Sequence, residues 1–586
     1  MVKGENLPSI STQVSNRVRL AESLVLLLLL ALATVVYAVL FNRANVLSHS
    51  IGYNLYASER VLEGAIPYRD FHTLYPPAIF YLNALLFEWF GISLHSALLG
   101  VMIFKVLTVL AIYLSGREIM PRLWSLVAAV LSLLWLRPNG PFKSVPMHYG
   151  ALFLALAMYL ILRHENRKQL TYVFLAGISL GFVALFKHNI GAYALGGSLA
   201  LLIFENLRLR GYRPAWQNAV DDSDGTLKSR YKRRYGGPAF LLAGFGAVVL
   251  PVLVYMQASR ALLPMITTML FGPGEFLLSR LATPLSPVAP LVLLLAFIAV
   301  AYISNKFRSP ALLAILLWVI LLLAIVVFLL FGREADVNQV IFYFPMLVLV
   351  LGSLVGIAGG AVVAGRRRSL LIVVIFAAAA LMELFPRFAR EQSIAAMPFI
   401  LVVLFYLLYI LTPVIGGFVG ERWQHRLALA TLPLIFTVIE VRLFFGTYFD
   451  GTFRFRAATP VSVERGRGAY FPASTAALID HAVAYIQDRV DTNGNAFAQS
   501  DAGTSLLFLA NRKNVSNAQF WIGVGVTQAE RAATLARIDK SQTKLIITSD
   551  EVLAAEKYEP MREYIEKNFQ STVRFDDVLM LERRAN

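Results

Sequence analysis

Cysteine is absent from the 586 residues, which excludes disulfides, thiolate metal sites and a cysteine nucleophile. Charge is scarce too. Asp, Glu, Lys and Arg make up 15% of the chain, whereas a water-soluble surface needs roughly a quarter. Acid is the scarcer sign, with 36 Asp and Glu against 53 Lys and Arg. The chain shows no internal repeat, and its segment after residue 450 shows no glycine-rich phosphate loop and no triad-like grouping. No small-residue cleavage site follows the first apolar run, so that run reads as a retained helix and not a signal peptide.

What is there is apolar: 58% of residues are hydrophobic. A bilayer crossing needs about 20 mostly apolar residues, and the chain supplies about 13 such runs by that measure. They fall near 20–42, 92–116, 122–137, 148–163, 170–186, 190–206, 238–257, 286–304, 309–331, 340–364, 369–383, 394–413 and 427–445. With the N-terminus inside, the cytoplasmic pieces, among them 163–168, 208–234, 305–308 and 365–368, together carry about twice the Lys and Arg of the opposite short loops. This bias, with anionic inner-leaflet lipid, accounts for most of the +17 net charge and makes nucleic acid an unneeded partner. The expected fold is mainly α: a polytopic helical membrane protein followed by a small extracytoplasmic α/β domain.

Ionisable groups near a bilayer are costly without partners or work, yet the predicted outer connections collect them. Arg69, Asp70 and His72 lie in EGAIPYRDFHTLYPPAIFYLN (63–83), Lys187 and His188 in ALFKHNIG (184–191), Arg333 and Asp336 in FGREADVNQVIFYFP (331–345), and Arg387 in ELFPRFAREQS (383–393). Pro67, Pro76 and Pro77 prevent the first stretch from forming one helix, and its tyrosines suit a headgroup interface. The short run 78–90 reads as a helix lying on the outer surface. Asp70, held at the bilayer edge, could serve as a general base on a hydroxyl. Equally, it could pair with Arg69 simply to pin the loop.

The stretch VLEGAIPYRDFHTLYPPAIFYLNALLF (61–87) resembles the first outer loop of the family 39 type of polyprenyl-phosphate-sugar-dependent glycosyltransferases. That family belongs to the GT-C superfamily, with protein O-mannosyltransferases and lipid A aminoarabinose transferases as relatives. GISLGFVALFKHNIGAYAL (177–195) is similar to its glycine-rich span, and LFPRFAREQSIAAMP (384–398) to its Phe-Pro-Arg loop. The tail from 506 to 550 resembles the small outer domain often fused behind the spans. The resemblance implies a GT-C transmembrane domain over 1–449, with a catalytic first loop at 43–91, and a soluble domain over 450–586. It implies transfer of a sugar, with inversion, from a polyprenyl-phosphate donor to an acceptor hydroxyl at the extracytoplasmic face, Asp70 being the base. Arg69, His72, Tyr75, Lys187, His188, Arg333, Asp336 and Arg387 would then bind substrate, the cations balancing the lipid phosphate. The acceptor would be an envelope lipid, glycan or protein, and the enzyme would sit in a bacterial inner membrane with its N-terminus cytoplasmic.

The chain also departs from the family. Ser50 and Ile51 stand where relatives carry an acidic pair before the glycine matching Gly52, which brings in Glu59 and Glu63 as alternative bases. Ala389 and Gln392 replace an acid and a histidine of the Phe-Pro-Arg loop. No cofactor is implied with certainty; Asp70 and His72 alone are too few ligands to argue for a metal site, and a divalent cation stays possible. A lipid or sugar transporter or flippase, and a non-catalytic GT-C relative, stay as alternatives.

In the tail, 475–490 has helical periodicity, 543–549 reads as a strand and 573–584 as an edge hairpin. Asn514 to Ser516 match a glycosylation sequon.

Overall fold

The computed structural model describes residues 10–41, 51–135, 145–211, 227–270, most of 345–356, 365–384, 390–419 and 458–584 apart from 493, 518–526, 555 and 557. Eight helices open the chain: α1 (Ile10–Phe41), α2 (Ile51–Leu62), α3 (Ala78–Phe90), α4 (Leu94–Arg117), α5 (Arg122–Trp135), α6 (Pro146–Arg167), α7 (Leu170–Phe186) and α8 (His188–Gly211). They are followed by α9 (Leu227–Ala258), α10 (Arg367–Leu381), a 3₁₀ turn (Met382–Leu384) and α11 (Arg390–Val419). Among the described residues, Leu20–Ala38, Leu94–Arg117, Pro146–Arg167 and Gly236–Ala258 are long and apolar enough to cross a membrane. Shorter apolar helices match the runs predicted at 122–137, 170–186, 190–206 and 394–413. The runs at 286–304, 309–331 and 427–445 lie outside the described residues.

The bundle packs α6 centrally against α4 and α7. Small residues set its tightest crossing. A Cβ on Gly177 of α7 would come within 2.1 Å of the Leu241 carbonyl of α9, and one on Gly244 of α9 within 2.0 Å of the Phe174 carbonyl. The helices therefore touch backbone to backbone, as small-residue interfaces allow. Ion pairs close one end of the bundle. Glu22 accepts from Tyr113, Arg117 and Arg122, Arg163 pairs with Glu118, and Arg368 with Glu165. The predicted cytoplasmic pieces 163–168 and 365–368 thus share this end.

The opposite end carries the α/β domain. A five-stranded sheet runs in the order β4 (Lys513–Asn514), β3 (Asn495–Ala498), β5 (Leu545–Thr548), β7 (Val578–Arg583), β6 (Phe569–Phe575), beside a small pair β1 (Ala458–Pro460) and β2 (Tyr470–Pro472). β3 pairs in parallel with β4 and β5, and the hairpin β6–β7 joins antiparallel to β5. Alternation along the strands sorts the two faces. Ala496, Leu545, Ile547 and Met580 pack with α12 (Ala473–Arg489) and α13 (Asp501–Ala510). Phe497, Ile546, Leu579 and Leu581 pack on Ile538 of α14 (Gln528–Lys540) and on Met561 and Ile565 of α16 (Glu559–Asn568), which follows the short α15 (Asp550–Ala554). The predicted strand and hairpin are present; β6 forms the sheet edge and β7 lies inside. The sequon asparagine is buried, its side chain bonded to Ala498 and Ser516, so it is closed to glycosylation in this fold.

One apolar cluster runs from α1 through α2, α3 and α4 into α12, α13 and the sheet, so domain and bundle share a core. Gly52 makes this contact close. A Cβ there would lie 1.9 Å from Ser505 Oγ and 2.3 Å from its Cα. Phe87 of α3 stacks on Phe508 of α13, ring centroids 6.0 Å apart.

Candidate active site beneath the domain

The loop between α2 and α3 is wedged between bundle and domain. Gly64 at φ 94° ends α2, and Tyr68 at φ 69° turns the chain back on itself, a conformation unusual for an aromatic residue. Tyr68 N–H donates to the Phe71 carbonyl at 2.9 Å, and Asp70 N–H to the Ile66 carbonyl at 2.9 Å. The Asp70 carboxylate completes the turn. Its Oδ2 accepts the Ile66 N–H at 2.7 Å and Arg69 Nη2 at 2.7 Å, while Oδ1 accepts Arg69 Nε at 2.8 Å. The Arg69 guanidinium beside it, opposed by partial burial and helped by the Ile66 N–H, holds the carboxyl below the usual carboxylate range. A carboxylate has about four lone-pair positions. Among the described residues three are filled, leaving one on Oδ1. Tyr81 and Tyr255, with hydroxyls 3.3 Å apart, lie within electrostatic reach of Arg69 and Tyr81 also of Asp70.

The far end of the loop meets Lys187. In the turn between α7 and α8, Lys187 Nζ lies 5.8 Å from the centre of the Tyr75 ring and 3.0 Å from Glu383 Oε1. Tyr75 is fixed by Tyr53, at a ring distance of 6.0 Å, and by the Tyr68 hydroxyl, which donates to its carbonyl at 2.6 Å. Beside Lys187, His188 Nδ1 and Asn189 Oδ1 are buried atoms with no hydrogen-bond partner among the described residues. They open α8, whose first N–H groups are free of intrahelical partners.

The domain contacts the same loop from the other side. His72 N–H donates to the Asn517 carbonyl at 3.1 Å. Burial pushes the His72 imidazole below its ordinary value, with Glu530 opposing. Glu59 is engaged bidentately by Arg465, at 2.7 and 2.8 Å, and Arg465 also reaches the Phe508 carbonyl and Asn511. Tyr56 accepts the Asn514 N–H at 2.7 Å. Glu63 is exposed, 4.0 Å from Lys513.

The structure thus brings Arg69, Asp70, His72, Tyr75, Lys187 and His188 to one end of the bundle. Of the alternative bases, Glu59 is committed to Arg465. Arg333, Asp336 and Arg387 lie outside the described residues. Tyr53, Tyr81, Asn189, Tyr255 and Glu383 were not expected at the site. Only long-range packing places them there, and no local sequence signal marks them. Among the described residues no three His, Asp or Glu side chains converge as a metal site would need.

The family model of dolichyl-phosphate-mannose-protein mannosyltransferases matches residues 75–214, a stretch that begins in this loop and contains Lys187. Among solved structures, ArnT from Cupriavidus metallidurans in the apo state is similar, with 12% identity, TM-score 0.54, and 96% of this chain and 98% of that chain covered. The same protein bound to undecaprenyl phosphate matches with 13% identity, TM-score 0.50 and the same coverage. The oligosaccharyltransferase AglB from Archaeoglobus fulgidus, in complex with an inhibitory peptide and a dolichol-phosphate, matches with 14% identity, TM-score 0.50, and 93% of this chain and 72% of that one covered. No curated protein matches by sequence. The chain thus shares its overall fold with ArnT and with AglB over more than nine-tenths of its length.

Proposed function

We propose that the chain transfers a sugar from a polyprenyl-phosphate donor to an acceptor hydroxyl at the extracytoplasmic membrane face, with inversion and with Asp70 as base. One observation carries this reading. A single loop presents a pinned carboxylate with an open lone pair at one end, and an aromatic ring against a partly buried lysine at the other. In this scheme the acceptor O–H donates to Asp70 Oδ1, and its oxygen attacks the anomeric carbon opposite the phosphate. The carbon–oxygen bond to phosphate breaks, its electron pair staying on the phosphate oxygen, and the acceptor proton passes to Asp70. A carboxylate of low basicity suffices, because the attacking oxygen becomes strongly acidic as the new bond forms.

Lys187 and the start of α8 balance the charge that grows on the phosphate. Arg387 and Arg333 are assigned to the same phosphate, and Asp336 to the sugar. That undecaprenyl phosphate binds ArnT, of the same fold, supports a polyprenyl carrier. The Arg-rich end at 163–168 and 365–368 supports a cytoplasmic placement for that face, and hence an extracytoplasmic site in a bacterial inner membrane.

The test uses the purified chain in nanodiscs with labelled polyprenyl-phosphate hexoses, pentoses, uronic acids and aminopentoses, offered with envelope extract. Transfer from one donor class, with the anomeric configuration of the product opposite to that of the donor, is expected. Retained configuration would remove the single-displacement scheme. Binding without transfer from any donor would favour a carrier-lipid transporter or a non-catalytic relative.

A further inference from the structure

Glu383 has no part in the scheme above, yet it holds the cation that the scheme needs. It sits in the 3₁₀ turn after α10, 8% exposed, with Oε1 3.0 Å from Lys187 Nζ. The lysine side chain is 19% exposed and lies over Tyr75. A phosphate arriving at Lys187 therefore meets a fixed negative charge within a few ångströms in a poorly hydrated place, where charges are weakly screened.

Resting on the proposed function, we infer that Glu383 discriminates the donor from the spent carrier by charge. The donor is a phosphodiester and carries one negative charge. Transfer leaves the electron pair of the broken carbon–oxygen bond on the phosphate, giving a monoester whose second ionisation lies near pH 6. At pH 8 the product is close to dianionic. Lys187 attracts both, and more strongly the dianion; Glu383 repels both, and again more strongly the dianion. With the lysine alone, the product would be the tighter ligand and would stay. Glu383 offsets the part of that advantage that Lys187 confers, so the spent carrier leaves more readily and the donor replaces it. Glu383 is a positioning and specificity residue here, and touches no reacting atom.

Binding of polyprenyl phosphate and of its methyl ester, a monoanionic stand-in for the donor, is measured at pH 8 on the full chain in nanodiscs. The parent is expected to bind the two within about threefold of each other. Glu383→Gln should tighten the monoester about tenfold and the methyl ester only about threefold, since the repulsion scales with ligand charge. Turnover of the variant should show product inhibition at lower polyprenyl phosphate than turnover of the parent. A purely structural role for Glu383 would weaken both ligands together.

Equal tightening of the two esters, weakening of both, or a parent that already prefers the monoester tenfold or more would overturn the inference. The parent ratio stands even where the variant does not fold. A parent that binds neither ester while remaining folded instead removes the polyprenyl reading on which the inference rests.

Discussion

Asp70 spends most of its hydrogen-bonding capacity on its own loop, and this sets what its replacement does. Asp70→Asn keeps the size but loses the ionic fork with Arg69. Since both side chains are partly exposed, the stability lost with that pair is small. Arg69→Gln removes the largest influence holding the Asp70 carboxyl low. The pH at which activity falls in acid should then move upward, as a pH–rate profile of kcat would record; an unmoved profile would separate Asp70 from the reaction. His72 titrates in a different window. Its folded value lies below 6.5, so its contribution to holding the domain on the loop is present above pH 6.5 and lost as pH falls through that value. Protection factors for hydrogen exchange at Asn517 and along α14 should fall as pH is lowered through the His72 titration in the parent, and His72→Gln should flatten that response. Asp70, with its value below 3.8, keeps its stabilising contribution above 3.8 and loses it only in stronger acid.

Among the helices, the glycine-rich span explains itself through contact. Gly177→Ala would drive a Cβ into the α9 backbone, and separating two packed helices should cost about 1–3 kcal/mol, read as a lower unfolding midpoint in detergent. Hydropathy alone located α4, α6, α7 and α9, because a membrane helix writes its burial into every residue. The run 78–90 marked α3 as well. The short helix α2 was not legible, since its apolar side is covered by α13 more than 400 residues later in the chain. In the domain, β5 and the β6–β7 hairpin were readable from alternation. The two-residue strand β4 was not, being defined by its partner and not by its own pattern. Lys187 could be nominated from its place at a helix end, but its pairing with Glu383 joins segments about 200 residues apart and leaves no trace in either segment.

At the level of the whole molecule, the site exists only because bundle and domain share a core and clamp one loop between them. The buried pair Glu59–Arg465 is the main polar tie, each side chain 12% exposed. Arg465→Gln would leave the Glu59 carboxylate buried without its cation, a change that costs about 3–5 kcal/mol in comparable pairs. Limited proteolysis should then release the domain from the bundle, and transfer should fall through loss of the ordered loop, not through the donor site. Glu59→Gln should behave alike, whereas a base at Glu59 would abolish turnover with the domain still docked. The central claim is that Asp70, at the heart of this clamp, takes the proton from the acceptor. Single-turnover transfer by parent and Asp70→Asn, both shown to be folded and to bind polyprenyl phosphate equally, tests it most directly. A loss of about a hundredfold or more is expected in the variant, as removal of a general base entails. A variant that transfers at the parent's rate would contradict it and leave Asp70 as the residue that pins the loop.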